Sequence, residues 1–172
     1  GLFKEGLIAK AGEILFKNNP LSLVCSIVCP HDEQCKGNCI RGIKSEPVSF
    51  CEIEEHISKY YLENVRLEKE DFKEESVAII GGGPAGITIA FILAQKGYKV
   101  TIFESKSKIG GVMRYGIPEY RLPKAVLDEE ILTIQKMGVE IITDTKIGVD
   151  IPFDSVREDF DAVLLGIGAW VS

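Results

Sequence analysis

The sequence predicts an α/β fold with a parallel sheet, preceded by a small α-helical, cysteine-rich domain. Three observations predict it. Ser76-Val-Ala-Ile-Ile80 is a short β-branched apolar run, which reads as a buried strand. It breaks into Gly81-Gly82-Gly83-Pro84-Ala85-Gly86, and Ile87, Ala90, Phe91 and Ala94 follow at helical spacing, with Gly97 just past the helix end. Upstream, four of the five cysteines fall within 15 residues, at Cys25, Cys29, Cys35 and Cys39.

The glycine turn is the element on which the rest depends. Lys99 to Phe103 reads as a second strand, closed by Glu104, so Ser76 to Glu104 forms one βαβ unit of the Rossmann type. Each glycine has a mechanical reason. Gly81 allows the tight strand-to-helix turn, Gly83 lets backbone approach a pyrophosphate, and Gly86 lets helix and strand pack closely. The helix N-terminus then offers free N–H groups and a positive dipole end to phosphates. Glu104, 21 residues after Gly83, is placed to accept hydrogen bonds from a ribose. Its carboxylate would repel a 2′-phosphate, which disfavours NADP in this crevice. The bland alternative is a glycine-rich turn with no ligand. FAD and NAD share the fingerprint; Gly110-Gly111, a second place where backbone can lie against a ligand, favours FAD.

Composition narrows the classes. The chain has 172 residues, is 45% hydrophobic and carries a net charge of −6, with a pI near 5.1. That gives no electrostatic case for nucleic acid or an anionic membrane. No apolar run approaches the roughly 18–20 residues that span a bilayer. Lys4, Glu5, Lys10 and Glu13 interrupt any signal-peptide core. A cytoplasmic protein is expected.

In the N-terminal segment, residues 1–61, Leu7, Ile8, Ala11, Ile14 and Leu15 recur at helical spacing against Lys10, Glu13 and Lys17. This predicts an amphipathic helix ending at Asn18-Asn19-Pro20. The cysteines follow as C-x3-C-x5-C-x3-C, with Pro30 directly after Cys29. Clustered cysteines without a secretory signal favour metal or iron–sulfur ligation over disulfides. The spacing is looser than zinc-ribbon pairs, so iron–sulfur ligation leads, with zinc and unmetallated thiols as the alternatives. Pro47 is expected to open a second helix, with Phe50, Ile53, Ile57 and Tyr60 as its apolar stripe and Cys51 one position off it. Glu54 and Glu55 read as solvated face, and His31 and His56 as surface residues. Residues 62–75, nine of fourteen charged, form a polar connector in which the domain boundary should fall.

Residues 76–172 complete the α/β part. Gly110 to Pro123 reads as a long loop, of the kind that is commonly functional. Pro123 starts a helix carrying Leu127, Ile131, Ile134 and Met137, stopped by Gly138. Val139 to Thr143 is a third strand. Asp161 to Leu165 is a fourth, entering Gly166-Ile-Gly-Ala169. A glycine-rich turn at a strand end normally leads onward, so the chain reads as a fragment.

The residues then resemble one family throughout. The pattern is Asn19-Pro-Leu-x3-Cys-x3-Cys-Pro, x4-Cys-x3-Cys, Glu46-Pro-Val, Gly-Gly-Gly-Pro-Ala-Gly and Arg114-Tyr-Gly-Ile-Pro-x-Tyr-Arg-Leu-Pro. It is similar to the glutamate synthase small (β) subunit family, with the N-terminal half of dihydropyrimidine dehydrogenase and ferredoxin-linked NADPH oxidoreductases. The resemblance implies a helical domain with two 4Fe–4S clusters, an FAD domain and an inserted NAD(P)H domain. Hydride would pass from NADPH to FAD, and electrons would leave through the clusters to a partner such as the large subunit or ferredoxin. Carried over, Gly81, Gly82, Gly83, Pro84, Ala85 and Gly86 would cradle the FAD pyrophosphate, and Glu104 with Ser105 would hold its ribose. Lys108, Ile109, Gly110, Gly111, Val112 and Arg121 would lie along the flavin side and Ile147 near the adenine, with Gly168 also among the cofactor-binding residues. Cys29 and Cys35, with Glu54 as a non-cysteine ligand, would serve one cluster and Cys39 the other. Cys25 matches a cysteine that is not a ligand there, so it enters only if all four cysteines form one local site.

The departures matter too. The family's first cysteine quartet and its second, NADPH-binding glycine motif are absent, and Cys51 stands where a small residue is usual. Two functions are carried forward. One is the FAD-binding part of an NAD(P)H-dependent electron-transfer oxidoreductase, an enzyme as a whole but inactive as this chain alone, with no catalytic side chain in it. The other is a non-enzymatic dinucleotide-binding module with a zinc or thiol redox-sensing cluster.

Overall fold

In a computed structural model, which describes residues 1–64 and 71–169, the chain divides into two compact units, Gly1–Val65 and Arg66–Ser172. Residues 65–70 of the expected connector lie outside the described residues.

The first unit is helical. Helix α1 spans Ile8–Asn18, α2 spans Ser22–Val28 and α3 spans Phe50–Asn64, with a 3-10 turn at Ile40–Ile43. Helices α1 and α2 both pack on α3. The burial differs from the expected stripes by a small rotation. On α1 the buried positions are Gly12 and Phe16, while Leu7 and Ile14 are exposed. On α3 they are Ile57, Ser58 and Tyr61, while Phe50 and Tyr60 face outward. The cause is one contact: the Phe16 and Tyr61 rings stack with centroids 4.7 Å apart. Tyr61 also lies where a Cβ on Gly12 would come within 2.5 Å of it, so the glycine permits the close approach of α1 and α3.

Helix α2 was not visible in the sequence pattern. Its Leu23 and Val24 are buried, and so are Ser22 and Ser26, so no polar face announced it. The Asn19 side chain accepts the Leu21 N–H at 3.1 Å, turning the chain between α1 and α2. Pro47 does not open α3; the helix begins at Phe50, where Ser49 C=O takes the Ile53 N–H.

The second unit is the expected α/β fold. Strands β1 (Ser76–Ile80), β2 (Lys99–Phe103), β3 (Glu140–Ile142) and β4 (Ala162–Leu165) form one all-parallel sheet in the order β3-β2-β1-β4. Ile80 pairs with Phe103 on one side and Leu165 on the other. Both central strands are buried along nearly their whole length, as a sheet covered on both faces requires. Helix α4 (Pro84–Gln95) buries Ile87, Ala90, Phe91 and Ala94, the four residues its spacing singled out.

The stretch Gly110 to Pro123 is not all loop: it contains a short helix, α5 (Val112–Tyr115), with Met113 buried. Helix α6 (Lys124–Lys136) follows Pro123 and buries Leu127, Ile131 and Ile134. Helix α7 (Phe153–Asp159), which no pattern announced, drives Val156 into a cluster with Ala78 and Phe103. Among the described residues no helix is long and apolar enough to cross a membrane.

Candidate dinucleotide crevice and cysteine segment

Strand β1 is the switch point of the sheet. The chain leaves it through α4 to β2 on one side, and β4 returns to its other side. In open α/β sheets, ligands bind outside the strands' carboxyl ends at such a point. Both glycine turns meet there. Gly81 N–H donates to Phe103 C=O at 2.8 Å and Gly166 N–H to Ile80 C=O at 2.8 Å, so the ladders run into the turns.

The glycines divide by what surrounds them. Gly81 has φ +107°, and a Cβ on it would lie 2.4 Å from Gly166 O. A Cβ on Gly86 would lie 2.0 Å from Gly81 O. These two are required by the fold itself. Gly83 is different: its backbone is extended, with φ −81° and ψ −172°, and the nearest atom to an added Cβ is 3.9 Å away. That atom is Gly111 Cα, in ordinary van der Waals contact, and Gly83 sits at the N-terminus of α4, where the first N–H groups of the helix have no partner within it.

Glu104 is buried at the end of β2. Its Oε2 accepts the Gly82 N–H at 2.9 Å, and its Oε1 accepts the Lys106 N–H at 2.9 Å and the Ser105 hydroxyl at 3.1 Å. A carboxylate offers about four lone-pair sites. Three are engaged within the protein, which leaves room for one further donor. The Gly82 carbonyl in turn accepts the Gly110 N–H at 2.6 Å. Ile109 is buried against Gly82, and Gly111, at φ +49°, packs on Gly83 so closely that a Cβ would come 2.8 Å from its Cα. Glu104, Ser105 and Ile109 to Val112 are thus brought to the glycine turn.

The remaining expected residues are placed as follows. Lys108 and Arg121 are exposed, and the Lys108 carbonyl accepts the Tyr115 hydroxyl at 3.0 Å. Ile147 packs beside the Ala78, Phe103 and Val156 cluster. Gly168, at φ +76°, has open space around it. Glu119 and Lys124, which no sequence pattern singles out, close the Gly110–Leu122 segment; only Pro123 marks a junction there.

In the helical unit, Cys25 lies on α2, Cys29 ends it, Cys35 sits on an exposed turn and Cys39 begins the 3-10 turn. Among the described residues, no three His, Cys, Asp or Glu side chains come together as a metal site. Cys39 lies among backbone donors. Backbone N–H groups of Val48 and Arg41 hold its thiol below the ordinary range, helped by the Gly42 N–H and the Arg41 charge against a small burial penalty. A surface cavity of about 380 Å³ adjoins it, bordered by Asp32, Lys36, Gly42, Ile43 and Pro47. His31 is not the isolated surface residue expected. Its Nε2–H donates to Ser26 C=O at 2.7 Å, and its Nδ1 lies 3.7 Å from Cys35 Sγ. Burial pushes the Glu54 carboxyl up, opposed by the charge of His31.

Comparison with known proteins agrees with both units. Residues 2–66 match the family described as dihydropyrimidine dehydrogenase domain II, 4Fe-4S cluster, and residues 79–133 match that of an NAD(P)-binding Rossmann-like domain. The glutamate synthase [NADPH] small chain of Halomonas elongata is 36% identical over 172 residues, covering 98% of this chain and 36% of the relative. The NADPH-Fe(3+) oxidoreductase subunit beta of Geobacter sulfurreducens is 38% identical over 171 residues, covering 96% of this chain and 25% of the relative. The chain thus spans between a quarter and little more than a third of the length of these relatives. Among solved structures, a mutant of FprA from Mycobacterium tuberculosis superposes with a TM-score of 0.51 at 21% identity, over 56% of this chain and 23% of that one. That likeness shows the fold.

Proposed function

We propose, from the premise that this chain is a homologue of the glutamate synthase small chains and related NADPH-linked oxidoreductases, that it is the FAD-binding part of an NAD(P)H-dependent electron-transfer enzyme. The observation that carries this reading is the meeting of the Gly81–Gly86 turn, the Gly110-Gly111 backbone and the Glu104 carboxylate at the N-terminus of α4 and the switch point of the sheet.

The residues present fit a dinucleotide. Gly83, Ala85 and Gly86 would receive the pyrophosphate on backbone N–H groups, since the Gly82 N–H is held by Glu104 and Pro84 has none, and a side chain at Gly83 would crowd the approach. Glu104 would take one ribose hydroxyl on its remaining lone pair, and Gly110 to Val112 would line the adjoining side. FAD, when bound, supplies hydride acceptance from a reduced nicotinamide and release of single electrons. The chain's own task is to bind, orient and shield that group; no side chain in the crevice needs to act as an acid, base or nucleophile.

The cysteine segment fits a four-ligand cluster only in part, and no step is derived through it. Cys29, Cys35, Cys39 and Glu54 are proposed as a share of the ligands, the remainder coming from residues outside this sequence. The electron acceptor, a large subunit or a ferredoxin, is proposed on the same family ground, as is a cytoplasmic location.

The test is an absorption spectrum of the purified chain before and after acid release of cofactor, followed by titration with FAD and with NAD. Released flavin, or saturable FAD binding tighter than NAD binding, supports the reading. A folded chain that binds NAD and not FAD overturns it.

A further inference from the structure

We infer that Lys124 is a positioning residue for the dinucleotide crevice, holding the Gly110–Leu122 segment through its ammonium group; the inference rests on the dinucleotide reading above. Lys124 is the first residue of α6, where a lysine would ordinarily extend into water. Instead its Nζ donates to the carbonyls of Met113 at 2.9 Å, Ile117 at 2.6 Å and Leu122 at 3.2 Å. An ammonium has three donors, and all three are used on one segment of backbone. Such charge-assisted bonds are about twice as strong as neutral ones.

The closure is reciprocal. The Glu119 carboxylate, in the same segment, accepts the Lys124 backbone N–H at 3.1 and 3.3 Å and so caps α6. The lysine side chain reaches back while the glutamate side chain reaches forward.

From Met113 a run of hydrogen bonds leads to the glycine turn, residue to residue. Met113 N–H donates to Gly110 C=O at 3.0 Å, and Gly110 N–H donates to Gly82 C=O at 2.6 Å. Gly82 N–H then donates to Glu104 at 2.9 Å. Gly110 and Gly111 sit at φ +131° and +49° in that run, conformations that need outside contacts to select them. Arg114 adds a second cation on the same backbone, donating to Ile109 C=O at 2.6 Å and pairing with Asp128 of α6. The chemistry of Lys124 is therefore spent on carbonyls that fix the wall of the crevice.

The test uses Lys124→Met in the full 172-residue chain, with amide hydrogen exchange at Gly110 and Met113 and titration with FAD as the two readouts. Loss of a charged donor from the run is expected to speed Gly110 and Met113 exchange by about tenfold or more, leaving β1 and α4 amides unchanged, and to weaken FAD binding by about tenfold. Unchanged exchange at Gly110 overturns the inference. So does faster exchange with unaltered FAD affinity, because the segment would then not serve the crevice. Should Lys124→Met fail to fold, Lys124→Gln carries the same expectations and the same refutations. A wild-type chain that binds no FAD overturns the ligand reading alone, and Gly110 exchange still decides whether Lys124 holds the segment.

Discussion

Glu104 holds Gly82 by its backbone: the carboxylate at the end of β2 accepts the Gly82 N–H at 2.9 Å, 22 residues away in sequence. With Gly110 N–H on the Gly82 carbonyl, that glycine is gripped at both ends. The phosphate-facing turn is thus preorganised before any ligand arrives, which lowers the ordering cost of binding. Replacing Glu104 by Ala would strand the Gly82 and Lys106 N–H groups, at about 1–3 kcal/mol per buried unpaired donor. Glu104→Gln keeps one acceptor but turns an NH₂ toward one of those donors. Chemical denaturation should rank wild type above Glu104→Gln above Glu104→Ala, and equal stability of wild type and Glu104→Ala would refute the grip.

Gly83 and Gly86 should separate binding from folding. A Cβ at Gly86 meets Gly81 O at 2.0 Å, so Gly86→Ala should destabilise by about 3 kcal/mol or more through forced backbone displacement. A Cβ at Gly83 meets nothing nearer than 3.9 Å, and its extended backbone suits any residue. Gly83→Ala should change stability by about 1 kcal/mol or less. It should nevertheless weaken FAD binding strongly, because the methyl group occupies the phosphate's approach. Thermal melts and FAD titration on both variants give the comparison; undiminished FAD affinity in Gly83→Ala would remove the cradle from the argument.

The contrast between those glycines shows what the sequence could and could not convey. From Ser76 to Glu104 every element was legible, because strand, turn and helix are set by local period and by glycine geometry. Helix α2 was not, because its Ser22 and Ser26 are buried and its cysteines invited a metal-binding reading. The stripe of α3 holds at Ile57 and shifts by one position at its end because the Phe16 ring selects Tyr61 over Tyr60. Lys124 was invisible as a functional residue: its three carbonyl partners are defined by the path of the preceding segment, which no spacing rule describes.

Asp161 gives the α/β unit a pH dependence. Its Oδ2 accepts the Ser76 N–H at 2.8 Å and the Ser76 hydroxyl at 3.0 Å, linking the starts of β1 and β4. These bonds, the backbone one first, hold its carboxyl below the ordinary 3.8. A carboxyl depressed in the folded state adds stability that is complete above the unfolded value and is lost as pH falls through the folded one. The Tm difference between wild type and Asp161→Asn should therefore be constant at neutral pH and shrink below about 3.8. A gap that persists unchanged down to pH 2 would point to a charge-independent cause.

Within the helical unit, Ser22 and Ser58 share a fully buried hydrogen bond of 2.9 Å between α2 and α3. Ser58→Ala leaves the Ser22 hydroxyl buried without that partner, at about 1–3 kcal/mol. Ser22→Ala/Ser58→Ala removes both hydroxyls and should cost less than the sum of the single changes. A double-mutant cycle by denaturation measures the coupling, and strict additivity would mean the two hydroxyls do not depend on each other.

The reactivity of Cys39 should depend on its backbone donors. The thiolate is the nucleophile, and backbone N–H groups, those of Val48 and Arg41 foremost, draw the Cys39 thiol below the ordinary 9.0. Alkylation with iodoacetamide across pH, read at Cys39 by mass spectrometry, should give a midpoint below the ordinary 9.0. Arg41→Ala removes the charge but keeps the N–H donors, so it should raise that midpoint only slightly. Val48→Pro removes the leading donor outright, since proline has no N–H, and should raise it more. The order of these two shifts distinguishes a thiolate held by backbone dipoles from one held by a neighbouring cation. A larger shift in Arg41→Ala than in Val48→Pro would assign the effect to the cation. In the former case the turn after Cys39 is a ready-made holder for a sulfur anion, whatever electrophile or iron centre that anion meets in the intact protein.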